Sequence, residues 1–174
     1  MRKPLLILSR VGLLTAAFVA PAAAARPDGA GRPTLLSTAI SLNASGPYAG
    51  QFDTLLSLAG SYDVVVDALS GKQQLTVFAP TDAAFEALFA DLGVDGVNDI
   101  PVGTLKAVLL HHVAPGERFS GDVLDASRIR MLDKGFTFPR VSGGVPYIDE
   151  ARIVVPDVDA SNGVIHVIDT VLLP

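Results

Sequence analysis

The stretch that most constrains the fold is segment 75–88, which has the sequence LTVFAPTDAAFEAL. Its first residues are apolar or β-branched, which favours a buried strand. Pro80 has no N–H to donate, so strand pairing should end there. The residues after it place apolar side chains, including Phe85, at helical spacing. The segment therefore predicts a strand, a proline hinge and a helix with a buried aromatic side chain.

The start of that helix is predicted at Thr81 and Asp82. Thr81 is an N-cap candidate, because its hydroxyl can accept a backbone N–H of the first turn. Asp82 follows in the first turn, where the helix dipole favours a negative charge. If the hydroxyl is a cap, Thr81→Ala should cost about 1 kcal/mol of stability.

A second long segment, 162–174, has the sequence NGVIHVIDTVLLP. Asn162 and Gly163 tolerate positive φ and predict a turn. The residues that follow are mainly apolar on both faces of a strand, so this strand should be central in its sheet.

In the rest of the chain, the spacing of apolar residues changes from helical to strand-like near residue 116. Helical spacing predicts short helices between 34 and 71 and another that starts near Pro101 and ends at Pro115. After Gly116, short β-type segments follow, with Pro156 as one of the separators. These segments are 127–132, 136–141, 146–148 and 152–155. Helices first and strands later around one core predict an α+β or β-rich fold.

Segments 75–88 and 162–174 resemble the two signature motifs of fasciclin-like domains, the first being roughly T-V-F-A-P-T-[ND]-x-A-F. Between them, segment 109–113 (LLHHV) resembles the family's L-L-x-Y-H-V segment. The resemblance implies an α+β fold, a β-wedge or sandwich of about seven strands with several helices packed along one side. It also implies that the two signature strands lie near each other in the core. The fold-defining residues on which it rests are Thr76, Phe78, Pro80, Thr81, Asp82, Phe85, Asn162, Gly163, His166 and Asp169.

One departure from the family pattern concerns a candidate interaction surface. Where the family typically has tyrosine and histidine, this chain has His111 and His112. In adhesive animal members that segment is implicated in integrin contact. Because the tyrosine is absent from this chain, integrin binding is not carried over. Asp99 and Ile100 resemble a short adhesion motif of those members, with a solvated loop as the alternative. On a helical wheel His112 lies on the apolar stripe, and His111 points about 100° away from it.

Catalytic and metal-binding patterns are not recognisable in the sequence. Without cysteine, disulfides and thiolate metal sites are excluded. Because adjacent side chains diverge on a helix, one metal ion cannot easily take both His111 and His112. His112 and His166 are instead expected to be core histidines with backbone or hydroxyl partners. Segment 157–163 begins like a calcium loop, but the twelfth position is Ile168 instead of glutamate. We therefore predict no enzyme activity, no metal and no cofactor.

The N-terminus predicts export. Residues 1–25 combine basic residues, an apolar run and small residues, as a secretory signal peptide does. Residues 26–33 are rich in Gly, Pro and Arg and predict a flexible leader before a domain at 34–174. Removing the signal would leave ten basic and eighteen acidic residues, a net charge of −8. Such a charge does not suit nucleic acid or an anionic membrane surface, and no membrane span should remain after cleavage.

The resemblance and the predicted export together indicate a periplasmic, secreted or cell-surface adhesion module that binds a protein, a glycan or a second copy of itself. The alternative is a carrier of a small apolar ligand, a pigment or lipid-like molecule, held between the β-wedge and the helices. Four residues are candidates for lining such a groove, with core packing as their other role: Met131, Phe136, Phe138 and Tyr147.

Overall fold

The computed structural model describes residues 31–174, so the predicted signal peptide and most of the leader lie outside the described residues. Within this range the chain has six α-helices: α1 (Leu35–Ala44), α2 (Asp53–Gly60), α3 (Asp63–Ser70), α4 (Asp82–Leu92), α5 (Val102–His111) and α6 (Ser120–Asp125). A short 3-10 turn covers Val97–Asp99. The eight strands of this range are β1 (Leu75–Pro80), β2 (Val113–Pro115), β3 (Ile129–Arg130), β4 (Phe136–Thr137), β5 (Pro139–Ser142), β6 (Val145–Ile148), β7 (Ala151–Ala160) and β8 (Gly163–Ile168).

Six strands form one mixed sheet in the order β2-β1-β8-β7-β6-β5, and β3 and β4 pair separately. β1 and β8 are parallel neighbours, with Leu75 opposite Gly163 and Pro80 opposite Ile168. The other pairs in the sheet are antiparallel. Every residue of β1 and of β8 is buried. The predicted α+β class, the central closing strand and its closeness to the first signature strand are confirmed.

Alternating side chains of these two strands build a core on each face of the sheet. Val77 and Ile165 pack in the larger core, together with apolar residues of α1 to α5. Phe78 and Ile168 pack in the second core, against residues of α6, β3 and β7. Because strand side chains alternate between faces, a strand that is apolar throughout can serve both cores. Five helices thus lie along one side of the sheet, as predicted.

The second half of the chain differs from the sequence prediction in three places. Residues 113–115 form β2 instead of ending the helix, and α6 lies in a stretch for which no helix was predicted. Pro156 does not separate two strands, because β7 runs through it. The pairing of β7 with β8 is irregular between Val155 and Val158, and Asp157 has a φ of 62°. This irregularity accommodates a residue without an N–H.

The prediction that the Thr81 hydroxyl caps α4 is wrong. Thr81 is at the N-cap position, but its side chain makes no capping hydrogen bond. Asp82 acts outside its own helix: its carboxylate accepts the backbone N–H groups of Asp53, at 3.1 Å, and Thr54, at 2.9 Å. These two groups belong to the first turn of α2, whose N-cap residue provides no side-chain bond. Asp82 therefore caps α2 and ties it to α4.

The last residues before α1 rest on the turn between β7 and β8. Arg32 forms an ion pair with Asp159. The carbonyl of Pro33 accepts the backbone N–H of Ser161 at 2.9 Å. The final part of the 26–33 segment is thus attached to the sheet, although its composition predicts a flexible leader.

Candidate functional site

His111 and His112 end α5, and both side chains are buried, with 3% and 2% of their surface exposed. Nδ1 of His111 lies 2.7 Å from Oδ2 of Asp133, which belongs to the turn between β3 and β4. A Cβ on Gly135 of the same turn would lie 2.7 Å from the imidazole, so glycine lets the turn close over the ring. The helical wheel placed His111 away from the apolar stripe, but the β3–β4 turn buries it.

His112 has a backbone partner on each ring nitrogen. Nδ1 donates to the carbonyl of Val108 at 2.7 Å, and Nε2 accepts the N–H of Leu172 at 2.9 Å. This pattern requires the neutral imidazole, since a charged ring would have two donors. Burial accordingly lowers the pKa of His112 to about 4, against the opposing effect of the Val108 carbonyl. His112 is a core histidine, as predicted.

His166 is held in the same way on the other face of the sheet. Its Nε2 lies 2.9 Å from the carbonyl of Arg118, and its Nδ1 accepts the N–H of Asp157 at 3.2 Å. The ring stacks on Phe78 with centroids 5.6 Å apart. Burial lowers the pKa of His166, although the Arg118 carbonyl and the Asp157 charge oppose this effect. His166 is therefore the second predicted core histidine with backbone partners.

The four residues proposed as an interaction surface do not form one exposed surface. His111, His112 and Ile100 are buried, and Asp99 is exposed. The carboxylate of Asp99 accepts the N–H of Asp95 at 3.1 Å, which organises the loop before α5. Direct contact of a partner with the histidine pair would require this part of the fold to open.

Asn162, expected as a turn residue and as a fold-defining residue of the second signature motif, connects three elements from a buried position. Its Oδ1 accepts the N–H of Leu35, at the start of α1, at 2.7 Å. Its Nδ2 donates to the carbonyls of Leu69 and Gly71 at the end of α3, at 3.0 and 2.8 Å. The side chain thus satisfies helix-end groups that have no partner within their own helices.

The other signature residues also hold the fold together. Thr76 donates its hydroxyl to the carbonyl of Gly116 at 2.8 Å and accepts the N–H of Arg118 at 2.9 Å. Asp169 accepts the N–H of Arg152 at 2.9 Å, which closes the end of the β7–β8 pair. These hydrogen bonds fix loops and strand ends to the central strands.

An apolar cavity lies between the sheet and the helices, where the carrier hypothesis places a ligand. It is lined by residues of α1, α2, α3, α5 and the central strands, and its volume is about 30 Å³. That is room for about one water molecule, whereas small-molecule sites usually have volumes of about 300–1,000 Å³. None of the four predicted groove residues lines it. Met131 is buried in the second core, whereas Phe136 and Phe138 are exposed.

The outer face of β5, β6 and β7 carries two exposed arginines, Arg140 and Arg152, and a half-buried tyrosine, Tyr147. Arg140 of β5 is opposite Tyr147 of β6, which is opposite Arg152 of β7. The Arg140 guanidinium lies 4.6 Å from the centroid of the Tyr147 ring. Close by in sequence, Arg128 lies 4.6 Å from the centroid of Phe136. We call Arg140, Tyr147 and Arg152 the Arg-Tyr-Arg row.

Sequence reasoning missed this row, although one signal for it is present. Residues 128–152 contain five basic and three acidic residues, a net charge of +2 in an acidic chain. Residues 53–99 contain one basic and eight acidic residues, a net charge of −7. Counting charge by segment would have marked 128–152 as a basic region. The register that aligns the three side chains follows only from the structure.

Two further classes of site are absent from residues 31–174. This range contains no group of three or more His, Cys, Asp or Glu side chains placed to hold a metal ion. Nor does any helix in it combine the length and apolar character needed to cross a membrane.

Comparison with known proteins places the chain in a family. The sequence model of the Fasciclin domain matches residues 50–174. Protein sll1483 of a Synechocystis strain is 36% identical, over 71% of this chain and 67% of the relative. The uncharacterized protein sll1735 of the same strain is 32% identical, over 71% of this chain and 90% of the relative. A fasciclin-like arabinogalactan protein of Arthroderma benhamiae is 29% identical, over 63% of this chain and 25% of the relative.

A solved structure has the same fold. It is a FAS1 domain pair from the insect cell adhesion molecule fasciclin I, and it superposes with a TM-score of 0.64 at 20% identity. The match covers 82% of this chain and 51% of the domain pair. Fasciclin domains are generally non-enzymatic modules of adhesion-type proteins and are typically extracellular or secreted. The matched segment includes both signature motifs and most of the described fold, and this chain therefore belongs to the fasciclin domain family.

Proposed function

We propose that this protein is an exported interaction module, which binds a protein or glycan at the cell surface or in the surrounding matrix and carries out no catalysis. The Arg-Tyr-Arg row is the observation that carries the proposal. It presents two guanidinium groups and an aromatic ring on a face whose opposite side is anchored in the core by Ile148, Ala151 and Ile153. Arginine and tyrosine are enriched where proteins bind partners, and a rigid sheet holds them in place.

The predicted signal peptide at residues 1–25 supports the export part of the proposal. The mature chain would have a net charge of −8 and no cysteine, so it would stay in solution outside the cytoplasm without needing disulfides. Typical locations of fasciclin domains agree with this placement.

The test is retention of the purified mature protein on washed cells and on extracted envelope or matrix material. We expect retention that falls when Arg140 and Tyr147 are replaced together, as Arg140→Gln with Tyr147→Ala. Lys72→Gln is the control, because Lys72 is exposed and lies outside the row. Absence of retention on every surface, in a monomeric protein, would overturn the proposal.

The carrier alternative predicts a different result. A carrier would purify with an extractable apolar molecule, seen in the visible spectrum or by mass spectrometry of an organic extract. The cavity of about 30 Å³ would then have to expand about tenfold to reach the volume of a typical ligand site. We expect the extract to contain no stoichiometric ligand.

A further inference from the structure

We propose that the Arg-Tyr-Arg row binds a carboxylated polysaccharide, with Arg140 and Arg152 pairing with carboxylates on either side of a sugar ring stacked on Tyr147. The inference rests on the proposed function and narrows its partner to one chemical class. It requires that the three side chains share a face, that they be accessible, and that their charge favour this ligand over others.

The register of the sheet puts the three side chains on one face. Directly opposed residues of antiparallel strands project to the same side of a sheet. Tyr147 of the middle strand is opposite Arg140 on one side and Arg152 on the other. Ile148 and Ala151, the sequence neighbours of Tyr147 and Arg152, are fully buried, so the row faces outward. Arg140 and Arg152 are exposed, and Tyr147 is half-buried. A strand spacing of about 4.8 Å separates the two arginine Cα positions by about 10 Å.

Arg140 is oriented by the protein and keeps one side available. Its Nε donates to the carbonyl of Asp149 at 3.0 Å while the guanidinium lies over one face of the Tyr147 ring. A stacked sugar would therefore take the other face of the ring. Its Nη2 is 3.6 Å from Glu150, whose side chain is 91% exposed. An ion pair this long and exposed contributes little to stability. Glu150 thus marks where a carboxylate meets this guanidinium, and a ligand carboxylate would take its place.

Arg152 provides the second positive charge. Its backbone is held by Asp169, whereas its exposed guanidinium has no hydrogen bond or ion pair with any residue between 31 and 174. A planar guanidinium of this kind can bind a carboxylate with two parallel hydrogen bonds.

Charge complementarity selects an anionic ligand and orients it. The 128–152 region has a net charge of +2, and the 53–99 region, which includes α2, α3 and α4, has −7. The other three basic residues of the 128–152 region lie in or beside the separately paired β3–β4 hairpin: Arg128, Arg130 and Lys134. The two positive charges of the row itself are therefore those of Arg140 and Arg152. A polyanion would be repelled by the acidic helices and attracted to these two guanidinium groups. Two cations in line with one aromatic ring suit a linear polymer of acidic sugars, because each repeat offers a carboxylate and a ring face for stacking.

The experiment measures affinity of the mature protein for polygalacturonate by isothermal titration calorimetry at low salt, with dextran as the neutral polymer. We expect binding to polygalacturonate that weakens as salt is added, and none to dextran. Arg140→Gln, Arg152→Gln and Tyr147→Ala should each weaken binding about tenfold, equivalent to about 1.4 kcal/mol. Tyr147→Phe keeps the ring and should bind like the wild type.

Two charge variants sharpen the test. Glu150→Gln removes the competing carboxylate and should tighten binding severalfold. Lys72→Gln changes the net charge as Arg140→Gln does, but away from the row, and should leave the affinity unchanged. Equal weakening by Lys72→Gln and Arg140→Gln would overturn the proposal, because the effect would then be one of net charge. Circular dichroism of every variant verifies that its fold is intact.

Other outcomes separate this inference from the proposed function. If the protein is retained on cells but has no affinity for polygalacturonate, the inference is overturned and the proposed function as an interaction module is not. Tighter binding to poly-glutamate than to polygalacturonate, with the same dependence on Arg140 and Arg152, would also overturn it, in favour of an acidic protein partner. Absence of binding to cells and to both polymers would remove the inference and the proposed function together.

Discussion

Among the glycines between residues 31 and 174, Gly163 has the least room for a side chain. A Cβ there would lie 1.9 Å from the carbonyl oxygen of Leu75, at the first pair of the β1–β8 ladder, and the residue has a φ of +150°. We expect Gly163→Ala to lower the free energy of unfolding by about 3 kcal/mol or more, because the two central strands would have to separate. Urea unfolding followed by circular dichroism measures this change.

Gly121→Ala provides the matched control. Gly121 lies in α6, and a Cβ there meets no atom within 4 Å. Alanine in a helix should be neutral or stabilise the protein by about 0.5–1 kcal/mol. A Gly163→Ala variant with the urea midpoint of the wild type would contradict the close approach of β1 and β8.

His112 should make stability depend on pH. Its pKa is about 4 in the folded protein and about 6.5 when unfolded, so the unfolded chain binds the proton more readily. Its contribution is therefore complete above pH 6.5 and is lost as the pH falls towards 4. The difference corresponds to roughly 3 kcal/mol, and the lowered pKa of His166 acts in the same direction.

The measurement compares the free energy of unfolding at pH 7 and pH 4.5 in the wild type and in His112→Gln. Glutamine does not titrate, so the variant, although less stable at pH 7, should lose less stability on acidification. Equal losses in the two proteins would show that His112 is not the titrating group.

At the scale of elements, the joint between α2 and α4 depends on Asp82. Asp82→Ala removes the acceptor of two backbone N–H groups at the start of α2 and should cost about 1–2 kcal/mol. Thr81→Ala removes a buried residue's hydroxyl that makes no capping bond and should cost less than Asp82→Ala. Urea denaturation of both variants measures the difference. A larger loss of stability for Thr81→Ala than for Asp82→Ala would indicate that the Thr81 hydroxyl caps α4, as the sequence predicted.

For the molecule as a whole, the two cores should unfold together, because β1 and β8 contribute side chains to both. The chain has no tryptophan, and its tyrosines are Tyr48, Tyr62 and Tyr147. The double variant Tyr48→Phe with Tyr62→Phe therefore leaves Tyr147 as the sole fluorescent reporter, located on β6. We expect its urea midpoint to coincide with that of circular dichroism, as two-state unfolding requires. An earlier fluorescence transition would indicate that β5 and β6 unfold on their own.

Local sequence was sufficient for much of this fold. Segments 75–88 and 162–174 carry their strand and helix signals within a few residues, because apolar periodicity, a missing proline N–H and glycine's tolerance of positive φ act locally. The strand, hinge and helix were therefore predictable, as was the central position of β8. The sequence predicted that His112 and His166 would have backbone or hydroxyl partners, because a buried imidazole needs hydrogen-bond donors and acceptors. It did not predict which residues provide them.

Tertiary structure decided what depends on segments far apart in the chain. His111 is buried because a turn more than twenty residues away closes over it through Gly135. Asp82 caps a different helix from its own, and Asn162 joins the ends of α1 and α3. Arg140, Tyr147 and Arg152 form a row only because three strands pair in one register, and a shift by one residue would turn each side chain to the other face. The sequence by itself thus determined the family and the central strands, and long-range pairing decided which polar side chains hold the core and which form the row on the outer face of the sheet.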